Sequence, residues 1–415
     1  MSNPVQINSR WASKLQRSVY GHPLASLANV VIALRSSPDW EGVLGFNEST
    51  WEVTAMKAPP WPEQVKRDYP ARWQDVDDLG TTYWMQMHEI KASRATTTDA
   101  IQLVAEDYLF HPIRNHLDSL EWDGSPRLGD YLTVYFNTEP NTYIKTVGRK
   151  FLIGAVARIY EPGCKNDCCL VLEGEQGLKK SMALRILAGN DQWFSDDMPD
   201  LASKDAKFHS RGFWIIELAE LYTLFKADVS QAKAFLSRQR DDVRLPYGKR
   251  TTMLPRECVF VGTVNSGQYL HDPTGGRRFW PVDCKGINVE SLREDRDQIV
   301  AEAVHEYKQW KLGASKEEAP WWFEDEGEVR KEQAERFETN PRQDLIESFL
   351  SERSKAVDPT VSQPEIARDC LGLTAGDWGA GVSKDITETL QRCGWKRFQR
   401  RTGSKRESRY QLCHA

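Results

Sequence analysis

The 415-residue sequence predicts an α/β fold with a parallel sheet at its centre, and three observations support this. First, short apolar runs alternate with helical patterns between residues 146 and about 290, as is typical of α/β proteins. Second, three of these runs reach a polar residue or glycine near their carboxyl ends: CCLVLEG (168–174), FWIIEL (213–218) and ECVFVGTVN (257–265). Such sheets bind their ligands at that edge. Third, the helical pattern LKKSMALRILAG (178–189) follows the first run directly.

The chain exceeds the length of one hydrophobic core, so two or three domains are expected. Residues 1–145 are rich in Trp and Pro, and TTTDAIQLVAEDYL (96–109) has the pattern of a capped amphipathic helix. We expect this segment to be mostly helical. Its scattered Trp residues could act as nucleic-acid stacking platforms, but packing in a core is the favoured interpretation.

A central domain is expected over residues 146–325, followed by a charged linker over 326–341. Residues 342–415 then contain three short helical patterns (DLIESFL, QPEIARDCLGL and SKDITETLQRCGW) and two strand-like pieces around Gly403. Three helices followed by a hairpin predict a winged-helix-like domain. The hairpin is basic, because residues 396–409 carry seven Lys or Arg and one Glu.

Composition excludes several classes of protein. The 40% hydrophobic and 28% charged fractions are typical of soluble globular proteins, and no apolar run approaches the roughly 18–20 residues of a membrane span. The first residues lack the apolar core of a secretory signal, so we expect a cytoplasmic protein that does not bind membranes. Cys164, Cys168 and Cys169 lack a partner cluster and are interpreted as reduced thiols rather than zinc ligands. The net charge of −5 excludes a uniformly basic surface but not a local basic patch.

The stretch GEQGLKKS (174–181) nearly matches the phosphate-binding loop G-x-x-x-x-G-K-[ST]. Gly174 ends the first strand, and Gly177 gives the loop a second flexible point. Lys180 has the spacing of the lysine that reaches the β and γ phosphates, and Ser181 could then ligate Mg²⁺. Lys179 replaces the usual second glycine. Lys179 would have to accept the backbone geometry there, and a positive φ would cost about 1–2 kcal/mol unless the position is right-handed as the helix begins.

Two later strands could supply the rest of a nucleotide site. FWII is followed by Glu217, with Glu220 close behind, and a carboxylate beside phosphates suits Mg²⁺ binding and water activation. VFVGTV is followed by Asn265, which could orient the attacking water. Each feature also has an ordinary interpretation as a core strand with a solvated end. Their order along the chain favours the site.

Basic residues occur in two further places. DPTGGRRFWPV places Arg277 and Arg278 in a loop where one of them could complete the site of a neighbouring subunit. PYGKR predicts a turn with Lys249 and Arg250 at its tip, flanked by extended residues. Such a turn suits contact with a nucleic-acid backbone, although a solvated loop is equally consistent with the pattern.

Several stretches together resemble the virulence-associated protein E family: HPIRNHLDSLEWDGSPR, GEQGLKKS, RGFWIIELAEL, KAFLSRQRDDVRLPYG and FVGTVNSGQYLHDPTGGRRFWPV. The resemblance covers roughly residues 20–290. These phage- and island-encoded proteins are similar to superfamily 3 helicases of the AAA+ class. The resemblance therefore implies a P-loop ATPase core, a homo-oligomeric ring of about six subunits, and DNA unwinding during replication of a mobile element in a bacterial host.

The resemblance also assigns roles by position. Lys180 and Ser181 match the Walker A pair, Glu217 the Walker B acid, Asn265 sensor 1, Arg277 or Arg278 the arginine finger, and Lys249–Arg250 the hairpin that grips single-stranded DNA. The implied ligands are ATP and Mg²⁺, with Mg²⁺ on Ser181 and Glu217. The expected ATP contacts are Gly174, Glu175, Gln176, Gly177, Leu178, Lys179, Lys180, Ser181 and Met182. The expected DNA contacts are Lys249, Arg250, Lys396, Arg397, Arg400, Arg401, Lys405 and Arg406.

Two departures from the family pattern remain. Lys179 replaces glycine, and the acidic pair is split as E-L-A-E, so either Glu217 or Glu220 could polarise water. The acidic run DVDD (75–78) is a weak match to a primase cluster, so we expect priming to need another protein. The leading hypothesis is an ATP-dependent, ring-forming DNA helicase or translocase. The alternative is a nucleotide-switched replication initiator or regulator that binds DNA and hydrolyses little ATP. A P-loop kinase for a small molecule would leave the basic tail and the Arg-Arg loop unexplained.

Overall fold

The computed structural model describes residues 10–61, 67–201, 203–219, 232–244, 251–265, 278–313, 319–321, 327, 331, 341–356, 358–374, 378–402 and 405–412. Contacts divide the chain into two compact units, Met1–Arg336 and Phe337–Ala415. None of the helices within these ranges combines the length and apolar character needed to cross a bilayer.

The first part of the larger unit contains, beside its helices, a four-stranded sheet in the order β3-β2-β1-β4 that the sequence does not predict. Strand β4 is parallel to β1, whereas the other pairs are antiparallel. The strands are two to four residues long, too short for an alternating pattern to stand out in the sequence. The elements are α1 (Leu27–Ser36), β1 (Leu44–Asn47), β2 (Glu52–Ala55), β3 (Ala71–Arg72), α2 (Asp75–Met87), α3 (Arg94–Ala105) and β4 (Leu109–Phe110).

Tryptophans form the core of this first module, as the sequence analysis favours. Trp11, Trp40 and Trp84 are buried together with apolar residues of α1 and α3. The rings of Trp11 and Trp84 stack with centroids 6.0 Å apart, and Trp40 meets Trp84 edge-on at 5.7 Å. Aromatic pairs in these geometries add to the stability gained from burial. These three rings are therefore core residues rather than stacking platforms for bases.

One hydrophobic core includes residues up to Ala105, and a second core begins at Ile113. This change lies upstream of the domain boundary that is expected near residue 145. Leu117 and Leu128 pack in the same cluster as the long helix that begins at Thr142. The remaining elements of the larger unit are α4 (Pro112–Ser119), α5 (Tyr131–Phe136), α6 (Thr142–Tyr160), β5 (Cys169–Glu173), α7 (Lys180–Ala188), β6 (Phe194–Ser195), α8 (Lys204–His209), β7 (Ile215–Leu218), β8 (Arg240–Arg244), β9 (Thr251–Pro255), β10 (Val259–Val264), β11 (Phe279–Asp283) and α9 (Val289–Leu312).

A five-stranded sheet in the order β11-β5-β10-β7-β6 forms the centre of this unit. Every neighbouring pair is parallel, so all five carboxyl ends lie at one edge. Strands β5, β7 and β10 coincide with the three predicted apolar runs, and α7 with the predicted helix. The structure therefore confirms a mixed α/β fold with a parallel sheet.

The smaller unit consists of three helical segments and a three-stranded antiparallel sheet in the order β12-β14-β13. Its core includes Ile346, Leu350, Ile386 and Leu390 from the helices and Trp395 from the sheet. The helices and the long hairpin occur where the sequence predicts them. The elements are α10 (Pro341–Arg353), β12 (Thr360–Val361), a helical turn (Gln363–Glu365) that continues as a π-helix (Ile366–Cys370), α11 (Ala380–Arg392), β13 (Trp395–Thr402) and β14 (Lys405–Leu412).

Candidate functional site

The loop between β5 and α7 makes a tight turn at the carboxyl edge of the parallel sheet. Gly174 and Gly177 have φ values of 143° and 89°, which non-glycine residues rarely adopt. A Cβ atom on Gly174 would also lie 2.6 Å from the Cys284 carbonyl oxygen. Gly174 is therefore required both by its φ and by the close approach of the chain that follows β11.

Lys179 is left-handed, the more costly of the two conformations considered from the sequence. Its φ and ψ are 65° and 29°, so it has the geometry that the missing glycine would provide. Helix α7 begins only at the next residue, which leaves the turn geometry to Lys179 itself. Its half-exposed ammonium group lies 3.9 Å from Glu290. Lys179 thus keeps the loop conformation at a cost of about 1–2 kcal/mol.

We expect Lys179→Gly to raise the free energy of unfolding by about 1 kcal/mol, because the relief of strain exceeds the added chain entropy of glycine. Denaturant unfolding would measure the change. The matched control is Lys179→Ala, which removes the charge but keeps the Cβ atom and so should not stabilise the protein. Equal stabilisation by both variants would attribute the effect to charge and contradict the explanation.

Lys180 points back into the loop that precedes it. Its Nζ atom donates to the carbonyl oxygens of Gly174 (2.7 Å) and Glu175 (3.0 Å) and to Asn265 Oδ1 (3.2 Å). Burial lowers the pKa of the ammonium group, while the nearby Cys284 and Glu217 act in the opposite direction. The ammonium group is held by neutral acceptors, an arrangement that leaves its positive charge available to an anion.

Glu217 is buried at the centre of the same edge, with 2% of its surface exposed. Its Oε1 accepts hydrogen bonds from Ser181 Oγ (2.9 Å) and Thr263 Oγ1 (2.6 Å). Its Oε2 is also buried and, among the residues that the structure describes, has no hydrogen-bond partner. Buried carboxylate oxygens are normally satisfied, so this atom indicates a functional position.

Side chains from three separate strands therefore meet at this edge. Lys180 and Ser181 follow β5, Glu217 belongs to β7, and Asn265 follows β10, which lies between those two strands. These four are predicted from the sequence, whereas Thr263, which donates to Glu217, is not. A threonine inside the apolar run VFVGTV was the available signal, because a buried hydroxyl needs a polar partner.

Arg278 lies at the opposite edge of the sheet. It immediately precedes β11, whose first residue pairs with Cys169 at the amino end of β5. Its Nε atom donates to Asp167 Oδ2 and to Ser237 Oγ, both at 3.1 Å. Arg278 therefore does not reach the loop of its own chain. No sequence pattern indicates the Asp167 partner, which is 111 positions away along the chain.

Three predicted positions, Arg277, Glu220 and the Lys249–Arg250 turn, lie outside the described residues. The strands that flank the turn are described, and β8 and β9 form the expected antiparallel pair. Arg256, just after β9, donates to Asp241 of β8 through its Nη2 atom at 2.8 Å, and both side chains are buried. This ion pair fixes the base of the hairpin.

The predicted DNA-binding residues of the C-terminal hairpin divide between two faces, since side chains alternate along a strand. Arg400 is paired with Asp358 at 2.6 Å. On the other face, Arg401 and Arg406 are exposed and lie directly opposite each other. Like charges in that position destabilise a sheet unless an anion lies between them. The backbone positions of the remaining members, Lys396, Arg397 and Lys405, follow the same alternation.

The acidic run DVDD has a structural role. Asp77 caps α2 and pairs with Arg67 at 2.6 Å, and Asp78 accepts a hydrogen bond from Trp73 Nε1 at 2.9 Å. Throughout the described ranges, no group of three or more His, Cys, Asp or Glu side chains could hold a metal ion. No disulfide joins the described cysteines, and burial raises the pKa of Cys164 to about 11 and of Cys169 to about 12.

Comparison with known proteins gives one family match. The model described as "Virulence-associated protein E-like domain" matches residues 117–339, more than half of the chain. This range includes the loop after β5, Glu217 and Asn265. No curated protein matches the sequence significantly.

Solved structures show similarity in fold. The apo structure of the NrS-1 C terminal region is 12% identical, with a TM-score of 0.50, and the match covers 92% of this chain and 98% of that one. The A form apo structure of the same region is 13% identical with a TM-score of 0.48, covering 94% and 100%. At these identities the first match supports the fold alone.

Proposed function

The chain belongs to the family of virulence-associated protein E-like domains, and on that premise we propose that it is an ATP-driven, ring-forming DNA helicase or translocase in the replication of a phage or other mobile element. One observation carries the proposal. Lys180, Ser181, Glu217 and Asn265, which come from three separate segments, meet at one edge of a parallel sheet. Parallel α/β sheets bind their ligands at that edge.

The loop after β5 fits the phosphates of ATP. Three residues with positive φ, Gly174, Gly177 and Lys179, turn the backbone so that amide groups can surround an anion. The amino end of α7 follows at once, and helix amino ends attract negative charge. Lys180 adds a full positive charge beside these amides. The ATP contacts proposed are therefore residues 174–182.

The neighbouring groups fit Mg²⁺. Protein-bound Mg²⁺ typically takes one or two carboxylates and completes its coordination with phosphates and water. The Ser181 hydroxyl and the Oε2 of Glu217, which has no hydrogen-bond partner among the described residues, supply oxygen ligands of this type. We assign Mg²⁺ to these two residues.

Bound MgATP supplies the phosphoanhydride bond whose cleavage drives the reaction. Lys180 would neutralise charge that develops on the transferred phosphoryl group. Glu217 would polarise the attacking water, and Asn265 would orient it. Glu220, the next glutamate in the sequence after Glu217, is the other candidate for the water-polarising role.

We assign the arginine loop to the site of a neighbouring subunit. Arg278 lies at the sheet edge away from its own loop, which suits a contact made between subunits rather than within one. Its guanidinium group is already held by Asp167 and Ser237. On this basis Arg277 makes the catalytic contact and Arg278 holds the loop in place. This arrangement needs a closed ring, for which a hexamer is proposed.

DNA contacts are assigned to two basic elements. In the sequence, Lys249 and Arg250 fall between β8 and β9, two strands whose base Arg256 and Asp241 anchor. The C-terminal hairpin, in a unit of winged-helix type, would bind phosphates between Arg401 and Arg406.

ATP turnover should rise several-fold on addition of single-stranded DNA. Replacing Lys249 and Arg250 by alanine should leave basal turnover unchanged and remove this stimulation, because the turn contacts DNA and not ATP. A coupled ATPase assay, with particle mass measured in parallel, tests both points. Lys91→Ala, at an exposed lysine of the first module, is the control.

A protein that binds ATP and DNA with almost no turnover would contradict the helicase proposal. That result would support the nucleotide-switched initiator instead. If DNA stimulated ATP turnover in the double variant as it does in the wild type, Lys249 and Arg250 would not be DNA contacts.

A further inference from the structure

A turn near the start of the chain presents two large side chains to solvent. Val19 is 95% exposed and Tyr20 86%. The turn is well defined, because the Ser18 amide donates to the His22 carbonyl (2.8 Å) and the Gly21 amide to the Ser18 carbonyl (2.9 Å). An exposed tyrosine on a hydrogen-bonded turn loses little conformational freedom when it binds a flat partner.

Buried side chains anchor the segment that carries this turn. Trp11 and Leu15 lie in the core of the first module. The Arg17 guanidinium group donates to the Gly21 carbonyl at 2.7 Å and closes the turn from one side. We call residues 10–22 the N-terminal turn segment. Its exposed turn is therefore held in place by buried side chains of the same segment.

The segment is basic and lacks local neutralisation. Arg10, Lys14 and Arg17 are exposed, and the first 38 residues contain no Asp or Glu. Within the described part of the chain, none of these three forms an ion pair with a carboxylate. Other arginines of the first module do have such partners: Arg35 with Asp107, Arg72 with Glu52, and Arg94 with Asp75.

We propose that the N-terminal turn segment binds single-stranded nucleic acid, with Tyr20 stacking on a base and Arg10, Lys14 and Arg17 contacting phosphates. An aromatic ring beside a basic track is the combination by which proteins hold single strands without reading their sequence. A purely apolar protein contact would use Val19 and Tyr20 but would leave three cations desolvated without partners, which is costly.

This contact involves residues other than the Lys249–Arg250 turn and the C-terminal hairpin. It rests on the proposed function only in the choice of DNA as the ligand, and it needs neither ATP nor a particular ring size. Binding is therefore measured without nucleotide, and ATP turnover is recorded as a separate quantity.

The test uses the full chain and a fluorescently labelled oligo(dT), with anisotropy as the readout. Tyr20→Ala should weaken binding roughly tenfold, which is within the range for the loss of one base stack. Tyr20→Trp should retain the affinity. The matched control is Tyr83→Ala, since Tyr83 is also well exposed (58%) but lies on α2, whose first turn is acidic. It should bind as the wild type does.

An oligonucleotide with abasic sites separates stacking from charge. The wild type should lose affinity for it, whereas Tyr20→Ala should bind both oligonucleotides alike. Lys14→Ser should reduce the slope of log affinity against log salt by about 0.7, the value for one single-strand phosphate contact. Lys91→Ser, the charge control, should not change the slope.

Equal affinity of wild type and Tyr20→Ala for oligo(dT) would overturn the proposal. If Tyr20→Ala instead changed the particle mass at unchanged DNA affinity, the turn would be a contact between proteins. If the wild type showed no ATP turnover but Tyr20→Ala still weakened DNA binding, the result would contradict the proposed function but not this inference.

Discussion

Lys180→Ala is expected to reduce ATP turnover by at least about a hundredfold while the protein stays folded. The removal of one positioned donor to a developing charge typically costs 10²–10³ in rate. Lys180 is such a donor, because its Nζ atom is held by the carbonyl oxygens of Gly174 and Glu175 and by Asn265. Turnover, nucleotide affinity and circular dichroism would be measured on the same preparation.

The adjacent lysine provides the control. Lys179 has the same charge and lies one residue away, but its side chain is half exposed and faces Glu290. Its proposed ATP contact is made by the backbone amide, which alanine retains, so Lys179→Ala should keep most of the turnover. Lys180→Met, which fills the same space without charge, should be as inactive as Lys180→Ala. Substantial activity in either Lys180 variant, or an equal loss in Lys179→Ala, would contradict the assignment.

Much of the fold and part of the site could be predicted from local patterns. The strands that end before Gly174, at Leu218 and before Asn265 are apolar runs of four to six residues, and buried parallel strands have that appearance. Because parallel strands share one carboxyl edge, the order of the runs was enough to bring Lys180, Glu217 and Asn265 together.

What could not be predicted depends on contacts between distant residues. Thr263 acquires its role only when β10 lies between β5 and β7, which places its hydroxyl group on Glu217. Asp167 holds Arg278 across 111 positions of the chain. The sheet of the first module was missed because its strands are too short to show a period. The left-handed conformation of Lys179 could not be predicted because local propensity disfavours positive φ, and the loop imposes it.

Glu217→Gln should separate activity from stability. We expect ATP to bind nearly normally, turnover to fall about a hundredfold, and the nucleotide-free protein to become more stable by about 1 kcal/mol. A buried carboxylate is costly unless all its oxygens are satisfied, and Oε2 of Glu217 has no partner among the described residues. The amide oxygen of Gln can still accept from Ser181 and Thr263, so the hydroxyl contacts remain. What is lost is the charge available to Mg²⁺ and water.

A second buried glutamate gives the matched control. Glu302 is 5% exposed, and its Oε2 accepts from the backbone amides of Arg127 (2.6 Å) and Leu128 (2.7 Å). These two amides stabilise its negative charge, so Glu302→Gln should lower the free energy of unfolding by about 1–2 kcal/mol. Turnover per folded molecule should be unchanged. The two substitutions are chemically identical and are expected to have opposite effects on stability. If Glu217→Gln also destabilised the protein and kept its turnover, Glu217 would be a structural acceptor like Glu302, and the water-polarising role would pass to Glu220.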